Sequence, residues 1–244
     1  MSYVEYSPAT VLRPYIDAYW VVRSEEATSS VHRIFPDSCM DIIFNLGEDF
    51  STDSDRFTLK SESAYLVGTM TRYKDTTRMP GSFLLGIRFK PLGFPAFFRF
   101  DSLHEITEKT IDFERRILPD IRSVDSTTFT RLNRFFCDRL SNRTQHLFPV
   151  LNEINKTNGN VSIETISHRH FITNRQLERN FKKYLGITPK EYAGFVRFQH
   201  AFKILKNNNG EKSLLDIALD TGYYDHAHLA NEVKKYSGLT PSQV

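Results

Sequence analysis

Arg175, Glu178 and Arg179 are the residues whose types and spacing point most directly to chemistry. Three and four residues apart, they share one side of an α-helix. Such a helix fits the major groove of duplex DNA, where a guanidinium can donate two hydrogen bonds to guanine O6 and N7. Thr173, Asn174, Lys182 and Lys183 stand at the ends of the same helix, where hydroxyl, amide and ammonium groups can reach phosphate oxygens. One helix of this composition, taken alone, is more often a solvated surface.

Repetition tips the balance. The string Phe181-Lys182-Lys183-Tyr184-Leu185-Gly186-Ile187-Thr188-Pro189 returns 52 residues on as Val233-Lys234-Lys235-Tyr236-Ser237-Gly238-Leu239-Thr240-Pro241. Leu177 maps onto Leu229 at the same offset, and Ile166 and Ile217 correspond with one residue of slippage in the turn. Each copy reads as a short helix, a turn, and a second helix that ends in Lys-Lys and stops at Gly. This is a duplicated helix-turn-helix, the unit that lays its second helix in the major groove. In the first copy Leu177, Phe181 and Tyr184, at i, i+4 and i+7, are expected to point inward and leave Arg175, Glu178 and Arg179 outside.

The elements that position these residues are helical. Leu147, Val150, Leu151 and Ile154 mark a first helix, ended by Thr157-Asn158-Gly159-Asn160. Ser162 and Thr173 are N-cap residues. Gly186 stands where a C′ glycine belongs, and Pro189 suits the first turn of the next helix. That connecting helix, amphipathic through Tyr192, Phe195, Val196, Phe198, Ala201, Phe202 and Leu205, runs to about Lys206 and spans roughly 25 Å. With the width of the flanking units, the two reading helices are expected about one DNA turn apart, roughly 34 Å.

The first half reads as β. Tyr19–Val22, Met40–Phe44, Tyr65–Val67 and Phe83–Phe89 are short runs rich in β-branched and aromatic residues, separated by Pro, Gly, Asp and Ser. Ser51 to Asp55 is a polar hairpin or loop, and residues 91–98 begin a turn-rich connection. From about Ile111 the pattern turns helical, and Phe129, Leu132, Phe136 and Leu140 form one stripe. That stripe covers the core of the N-terminal domain or forms a dimer seam. The expected fold class is α+β: a β-rich domain over 1–125, a helical linker over 126–143, and two helix-turn-helix units joined by a long helix over 144–244.

Composition agrees. A chain of 244 residues with 40% hydrophobic and 25% charged residues is an ordinary two-domain globular protein. Residues 141–244 hold 14 Lys and Arg against 9 Asp and Glu, while residues 1–140 hold 18 against 20, so the basic charge lies where the repeat lies. No stretch reaches the ~18 apolar residues of a membrane span, and the N-terminus lacks the pattern of a signal peptide. Cys39 and Cys137 fit no metal-ligand spacing and no disulfide framework, which suggests a reduced, cytoplasmic setting. Neither cofactor nor metal is expected. Asp37 and Asp41, four apart at a strand entrance, read as turn-forming and solvated rather than as metal ligands. An enzymatic metal barrel would want clustered histidines, but the first 140 residues hold only His32 and His104. A methyl-accepting Cys39 would want a basic partner; His32 and Arg33 are near in sequence, but the apolar strand that follows suggests burial. A third reading is an interaction module whose DNA binding has decayed.

Residues 145–244 resemble the AraC/XylS family of bacterial transcription regulators. The strings VSIETISHRHFITNRQLERNFKKYLGITPKEYAGFVRFQHA and LLDIALDTGYYDHAHLANEVKKYSGLTPSQV carry the likeness. The second resembles the family signature at Ile217-Ala218, Gly222-Tyr223, Asp225, His228, Lys234, Gly238 and Pro241. The resemblance implies that the second helix of each unit reads bases: Arg175, Gln176, Glu178 and Arg179 in the first, His226, Ala227 and Asn231 in the second. Lys234 and Lys235 then take the phosphate positions of Lys182 and Lys183. This chain departs from the family where Leu229 and Val233 replace the usual Phe, implying a looser core, and where Asn231 replaces a frequent Arg. Asn231 can pair with adenine N6 and N7 instead, and the first unit is expected to dominate affinity. Tyr15–Trp20, Phe35–Phe44 and Gly86–Gly93 resemble, less specifically, a cupin-like barrel that in this family binds an effector, dimerises, or does both. Trp20, Phe44, Arg88 and Phe89 are the candidates for an effector pocket. The partners implied are double-stranded DNA, RNA polymerase, a small molecule and a second copy of the chain, with no membrane.

Overall fold

The computed structural model describes residues 2–24, 30–52, 57–78 and 80–244. The N-terminal domain is built on a six-stranded antiparallel sheet. In chain order its strands are β1 (Ser2–Tyr6), β2 (Ile16–Arg23), β4 (Met40–Asn45), β7 (Ala64–Val67), β9 (Phe83–Phe89) and β10 (Thr110–Asp112), and in space they run β1-β2-β9-β4-β7-β10. Two ribbons flank it: β3 (Ser30–Ile34) with β8 (Lys74–Arg78), and β5 (Phe50–Thr52) with β6 (Phe57–Leu59). Ser51 and Thr52 of the expected polar hairpin lie in β5, and residues 53–55 fall outside the described residues.

Side chains alternate between the faces of a strand, and here the two faces have different fates. Met40, Ile42 and Phe44 of β4, Leu85, Ile87 and Phe89 of β9, and Leu66 of β7 all turn to one side and are buried. Helix α1 (Thr128–Arg139) closes that side with Leu132 and Phe136, both fully buried, and Phe129 and Leu140 pack beside them. The apolar stripe is therefore core and not a seam between copies. Asn133 ties the helix down: its Oδ1 accepts from Tyr19 Oη at 3.0 Å and from Ala9 N at 2.9 Å. Phe136 meets Phe89 and Phe97 edge-on at 5.6 and 4.9 Å. Truncating such a side chain to Ala costs about 3–5 kcal/mol.

The C-terminal region is helical: α2 (Phe148–Lys156), α3 (Ile163–Arg169), α4 (Asn174–Leu185), α5 (Pro189–Lys206), α6 (Leu214–Asp220) and α7 (His226–Ser237). Their starts are written in capping residues. Ser162 Oγ accepts from Thr165 N, and capping boxes join Thr173 to Gln176, Thr188 to Glu191 and Ser213 to Asp216. Gly186 and Gly238 stop α4 and α7 in the left-handed conformation, at φ +84° and +72°. The helices enclose two cores. Ile166, Leu177, Phe181 and Leu185 pack in the first with Tyr192 and Ala193 of α5. Ile217, Leu229, Val233 and Tyr236 pack in the second with Phe195, Phe198 and Ala201 of α5. The 18 residues of α5, about 27 Å at about 1.5 Å each, thus present their first turns to one unit and their later turns to the other.

Two expectations change at this level. Leu185, not Tyr184, completes the inward stripe of α4, because Tyr184 is half-buried and meets His146 at 6.1 Å. In the second core Leu229 and Val233 are fully buried despite their smaller size, and Tyr236 meets Phe195 and Phe198 at 5.9 and 4.8 Å beside them.

Candidate nucleic-acid interface

Each unit begins with a short helix, α3 or α6, turns, and presents a twelve-residue helix, α4 or α7. The turns are built alike. Ile172 N donates to Ser167 O at 3.0 Å, and Tyr223 N to Ala218 O at 2.8 Å. Phe171 and Gly222, the residues just before, are both left-handed, at φ +53° and +82°. The one-residue slippage in the repeat is therefore Tyr224, inserted before the N-cap Asp225. Both turns expose an aromatic ring: Phe171 is 99% exposed and Tyr224 is 86% exposed.

The expected reading residues stand on the outside. Thr173, Asn174, Arg175, Gln176, Glu178 and Arg179 are all exposed, as are His226, Ala227 and Asn231. Arg175 and Arg179 make no ion pair among the described residues, so their guanidinium donors are available. Some of the others have intramolecular work. Thr173 Oγ1 caps Gln176 N at 3.2 Å, and Gln176 Oε1 returns to Thr173 N at 3.2 Å, leaving the Gln176 amide nitrogen to point outward. Glu178 takes Lys182 Nζ at 2.8 Å, and that hydrogen bond holds the Glu178 carboxyl below its ordinary range. A surface pair of this kind is readily exchanged for another partner. Lys235 Nζ donates to Tyr236 Oη at 3.2 Å and lies 3.4 Å from Glu232, while Lys183 and Lys234 are exposed.

Sequence reasoning missed what holds the far ends of these helices. The last carbonyls of a helix lack intrahelical partners, and here the N-terminal domain supplies them. Thr69 Oγ1 donates to Leu185 O at 2.7 Å. Thr107 Oγ1 and His104 Nδ1 donate to Gly186 O at 2.7 and 2.8 Å, from beside the turn Leu103–Ile106. At the other unit Arg33 donates to Ser237 O at 3.4 Å, its guanidinium fixed by Asp75 at 2.7 Å and lying 4.4 Å over the Tyr73 ring. Both α4 and α7 are thus gripped at their C-terminal ends and exposed at their N-terminal ends. Lys182 and Lys183 stand at the gripped end of α4. No periodic pattern in the sequence singles out Thr69, His104 or Thr107, because they lie in turns.

On the sheet face opposite α1 lies a cavity of about 200 Å³. Of the four residues named for an effector pocket, Trp20 and Arg88 line this cavity and Phe44 and Phe89 do not: both are fully buried on the α1 face, one residue out of phase with the cavity. The Trp20 ring lies across β9 at Gly86, where a Cβ would come within 1.9 Å of the indole. There Trp20 Nε1 donates to Asp41 Oδ1 at 2.6 Å. Asp41, with 20% of its side chain exposed, is therefore not a solvated turn residue, whereas Asp37, at 39%, does form a turn, its Oδ1 accepting from Cys39 N at 2.8 Å. Burial and the neighbouring Asp37 push the Asp41 carboxyl up to about 7, and burial likewise raises Asp37. For Arg88 burial works to lower the guanidinium, but Asp41, Tyr3 and Asp37 outweigh it and raise it. Burial and the carboxylates of Asp37 and Asp41 push the Cys39 thiol well up, the opposite of what a nucleophilic thiolate needs. Among the described residues no cluster of three or more His, Cys, Asp or Glu could hold a metal ion, and no helix is long and apolar enough to cross a membrane.

Comparison with known proteins follows the same division. Residues 166–244 match the family model of a helix-turn-helix domain, and residues 4–112 match a domain of unknown function (DUF6597). A probable transcription factor of Proteus vulgaris, PqrA, is 33% identical over 86 residues, covering 35% of this chain and 69% of that one. An uncharacterised HTH-type transcriptional regulator of Haemophilus influenzae is 36% identical over 81 residues, 33% of this chain. The match spans only 24% of that regulator's length, and 25% of the transcriptional regulator ArgR of Pseudomonas aeruginosa. Among solved structures, ToxT of Vibrio cholerae bound to an unsaturated fatty acid is 12% identical over 97% of this chain and 95% of its own, with a TM-score of 0.47. A transcriptional regulator of Chromobacterium violaceum is 29% identical over 38% of this chain and 87% of its own, with a TM-score of 0.35. With one helix-turn-helix built twice on a shared helix, and its sequence aligned to more than two-thirds of a transcription factor, the chain belongs to the AraC/XylS family of transcription regulators.

Proposed function

We propose that this chain is a sequence-specific DNA-binding transcription regulator that lays α4 and α7 in successive major grooves, and whose N-terminal domain senses a small molecule. One observation carries the reading. Two helices of the same build, joined by one rigid helix, keep their N-terminal turns exposed while their other ends are buried against a common body. The N-terminal turns of a recognition helix are the part that meets base edges. Arg175 and Arg179 read guanine, Gln176 and Asn231 supply amides suited to adenine, and Glu178 is suited to cytosine N4. His226 and Ala227 sit at the base edges of the second site. Thr173, Asn174, Lys182, Lys183, Lys234 and Lys235 position the backbone. The Arg pair gives the first unit the larger share of affinity.

The N-terminal domain regulates this activity through its grip on the helix ends, since a ligand that binds one docked arrangement better shifts the balance toward it. A second copy and RNA polymerase belong to the same proposal; β1 offers a second copy an edge strand on which Tyr3, Val4 and Tyr6 are exposed.

Selection from random duplexes with the full chain tests the reading. It predicts an enriched motif of two short elements about 10–10.5 base pairs apart. Recovery of no motif overturns it.

A further inference from the structure

The cavity in the N-terminal domain has an electrostatic imbalance at one end. Arg88 Nη1 lies 3.2 Å from Glu5 and 4.0 Å from Asp17, and its Nε lies 3.6 Å from Asp37 and 3.9 Å from Asp41. The other cation there among the described residues is Lys90, 3.8 Å from Asp17. Lys74, on the cavity wall, is already committed to Glu108, whose carboxylate is 3.7 Å away and whose carbonyl it meets at 2.9 Å. Among the described residues two cations thus face four carboxylates, and two of the four, Asp37 and Asp41, line the cavity. A buried carboxylate without a matched cation is unfavourable in a low-dielectric site, and Asp41, with 20% of its side chain exposed, is the most enclosed of the four. Elsewhere the wall joins apolar and aromatic side chains, among them Trp20, Ile43, Met70 and Leu84, to the hydroxyl residues Thr76, Thr77, Ser82 and Thr110.

We propose that this cavity receives a small organic cation, a protonated amine on an apolar body, with its ammonium between Asp37 and Asp41 and its body along Trp20 and Leu84. The proposal deepens the effector reading above and rests on it. An ammonium beside these carboxylates restores charge balance, and the face of an indole is itself attractive to a cation. A carboxylate ligand would instead approach a guanidinium already ringed by four carboxylates. Arg88 Nε is buried with no hydrogen-bond acceptor, so a hydroxyl oxygen near the amine has a donor waiting. At about 200 Å³ the cavity is smaller than the ~300–1,000 Å³ of sites for drug-sized ligands, which limits the body to a few carbons. Occupancy has a route to the DNA-binding units. Asp37 also lines a second, open cleft of about 860 Å³, whose far wall is α5 at Tyr192, Val196 and His200.

Trp20 is the only tryptophan of the chain and lines the cavity, so its fluorescence reports on occupancy. The full chain is titrated at pH 8 with hexylamine, hexanol and hexanoate. We expect saturable binding of hexylamine at least tenfold tighter than hexanol, with hexanoate weakest. In Asp41→Asn the preference for the amine is lost and hexanol binding remains. Asp37→Asn provides a second, independent reading of the same preference. Tightest binding by hexanoate overturns the amine class and leaves an effector site standing. Equal binding of the three that neither variant changes also overturns the class. No saturable response to any of them overturns the effector reading as well.

Discussion

Replacing Gly186 by Ala tests the docking of the two domains. Gly186 ends α4 at φ +84°, where an L-residue costs about 1–2 kcal/mol. An added Cβ would also come within 2.7 Å of Thr107 Oγ1 and 3.1 Å of Leu103 O. To make room, the turn Leu103–Ile106 must back away, and the bonds from Thr107 and His104 to Gly186 O go with it. Each is worth about 0.5–1.5 kcal/mol net. The expected loss for Gly186→Ala is therefore about 2–5 kcal/mol. Gly210 is the control. It has nearly the same φ, +80°, but no atom lies within 4 Å of where an added methyl would sit, so Gly210→Ala should lose only the conformational cost of about 1–2 kcal/mol. Urea unfolding followed by circular dichroism measures both losses. Hydrogen exchange at the amides of Glu105 and Thr107 should accelerate in Gly186→Ala alone. Equal losses for the two variants, with exchange in that turn unchanged, would refute the docking of the N-terminal domain on α4.

Four further outcomes are expected. Arg175→Ala or Arg179→Ala weakens binding to the selected site by about 1–3 kcal/mol and relaxes base preference, measured by anisotropy titration across single-base variants. Lys183→Ala weakens binding evenly across sequences and lowers the slope of log K against log salt by about one, read from the same titration at several salt concentrations. Thr173→Ala removes the capping box of α4 and costs about 0.5–2 kcal/mol in thermal unfolding, with DNA affinity falling although no base contact is deleted. The Asp41 carboxyl, raised to about 7, holds its proton more tightly folded than unfolded, where about 3.9 is usual. Its contribution to stability therefore declines as pH rises from about 4 to about 7 and is level above that. Asp41→Asn should match the wild type in thermal unfolding near pH 4 and exceed it at pH 8, by up to about 4 kcal/mol; equal stability of the two at pH 8 refutes the burial of that charge.

The local chemistry of the helix-turn-helix half was legible in the sequence. Leu177 and Phe181 recur at helical spacing, Thr173 and Ser162 are good caps, Gly186 stops the helix, and the whole pattern returns at Leu229 and Gly238. These signals rest on contacts a few residues apart, so they survive without knowledge of the fold. The outward placing of Arg175 and Arg179 follows from them as the complement of the buried stripe. In the N-terminal half, alternation identified strands but not which face meets which neighbour. Phe44 and Phe89 belong to the core and Trp20 and Arg88 to the cavity because α1, some 40 to 100 residues away in sequence, covers one face of the sheet and not the other. The same distance hid the burial of Asp41, which only the strand register brings against Arg88. It also hid the packing of Tyr236 in the second core and the grip of Thr69, Thr107 and Arg33 on α4 and α7. Secondary structure is dictated by neighbours along the chain, whereas the environment of a side chain is dictated by whatever the rest of the chain brings to it. For this protein the exposed face of α4 belongs to the first kind of information, and the cavity lined by Trp20 and Arg88 and its place beside α5 belong to the second.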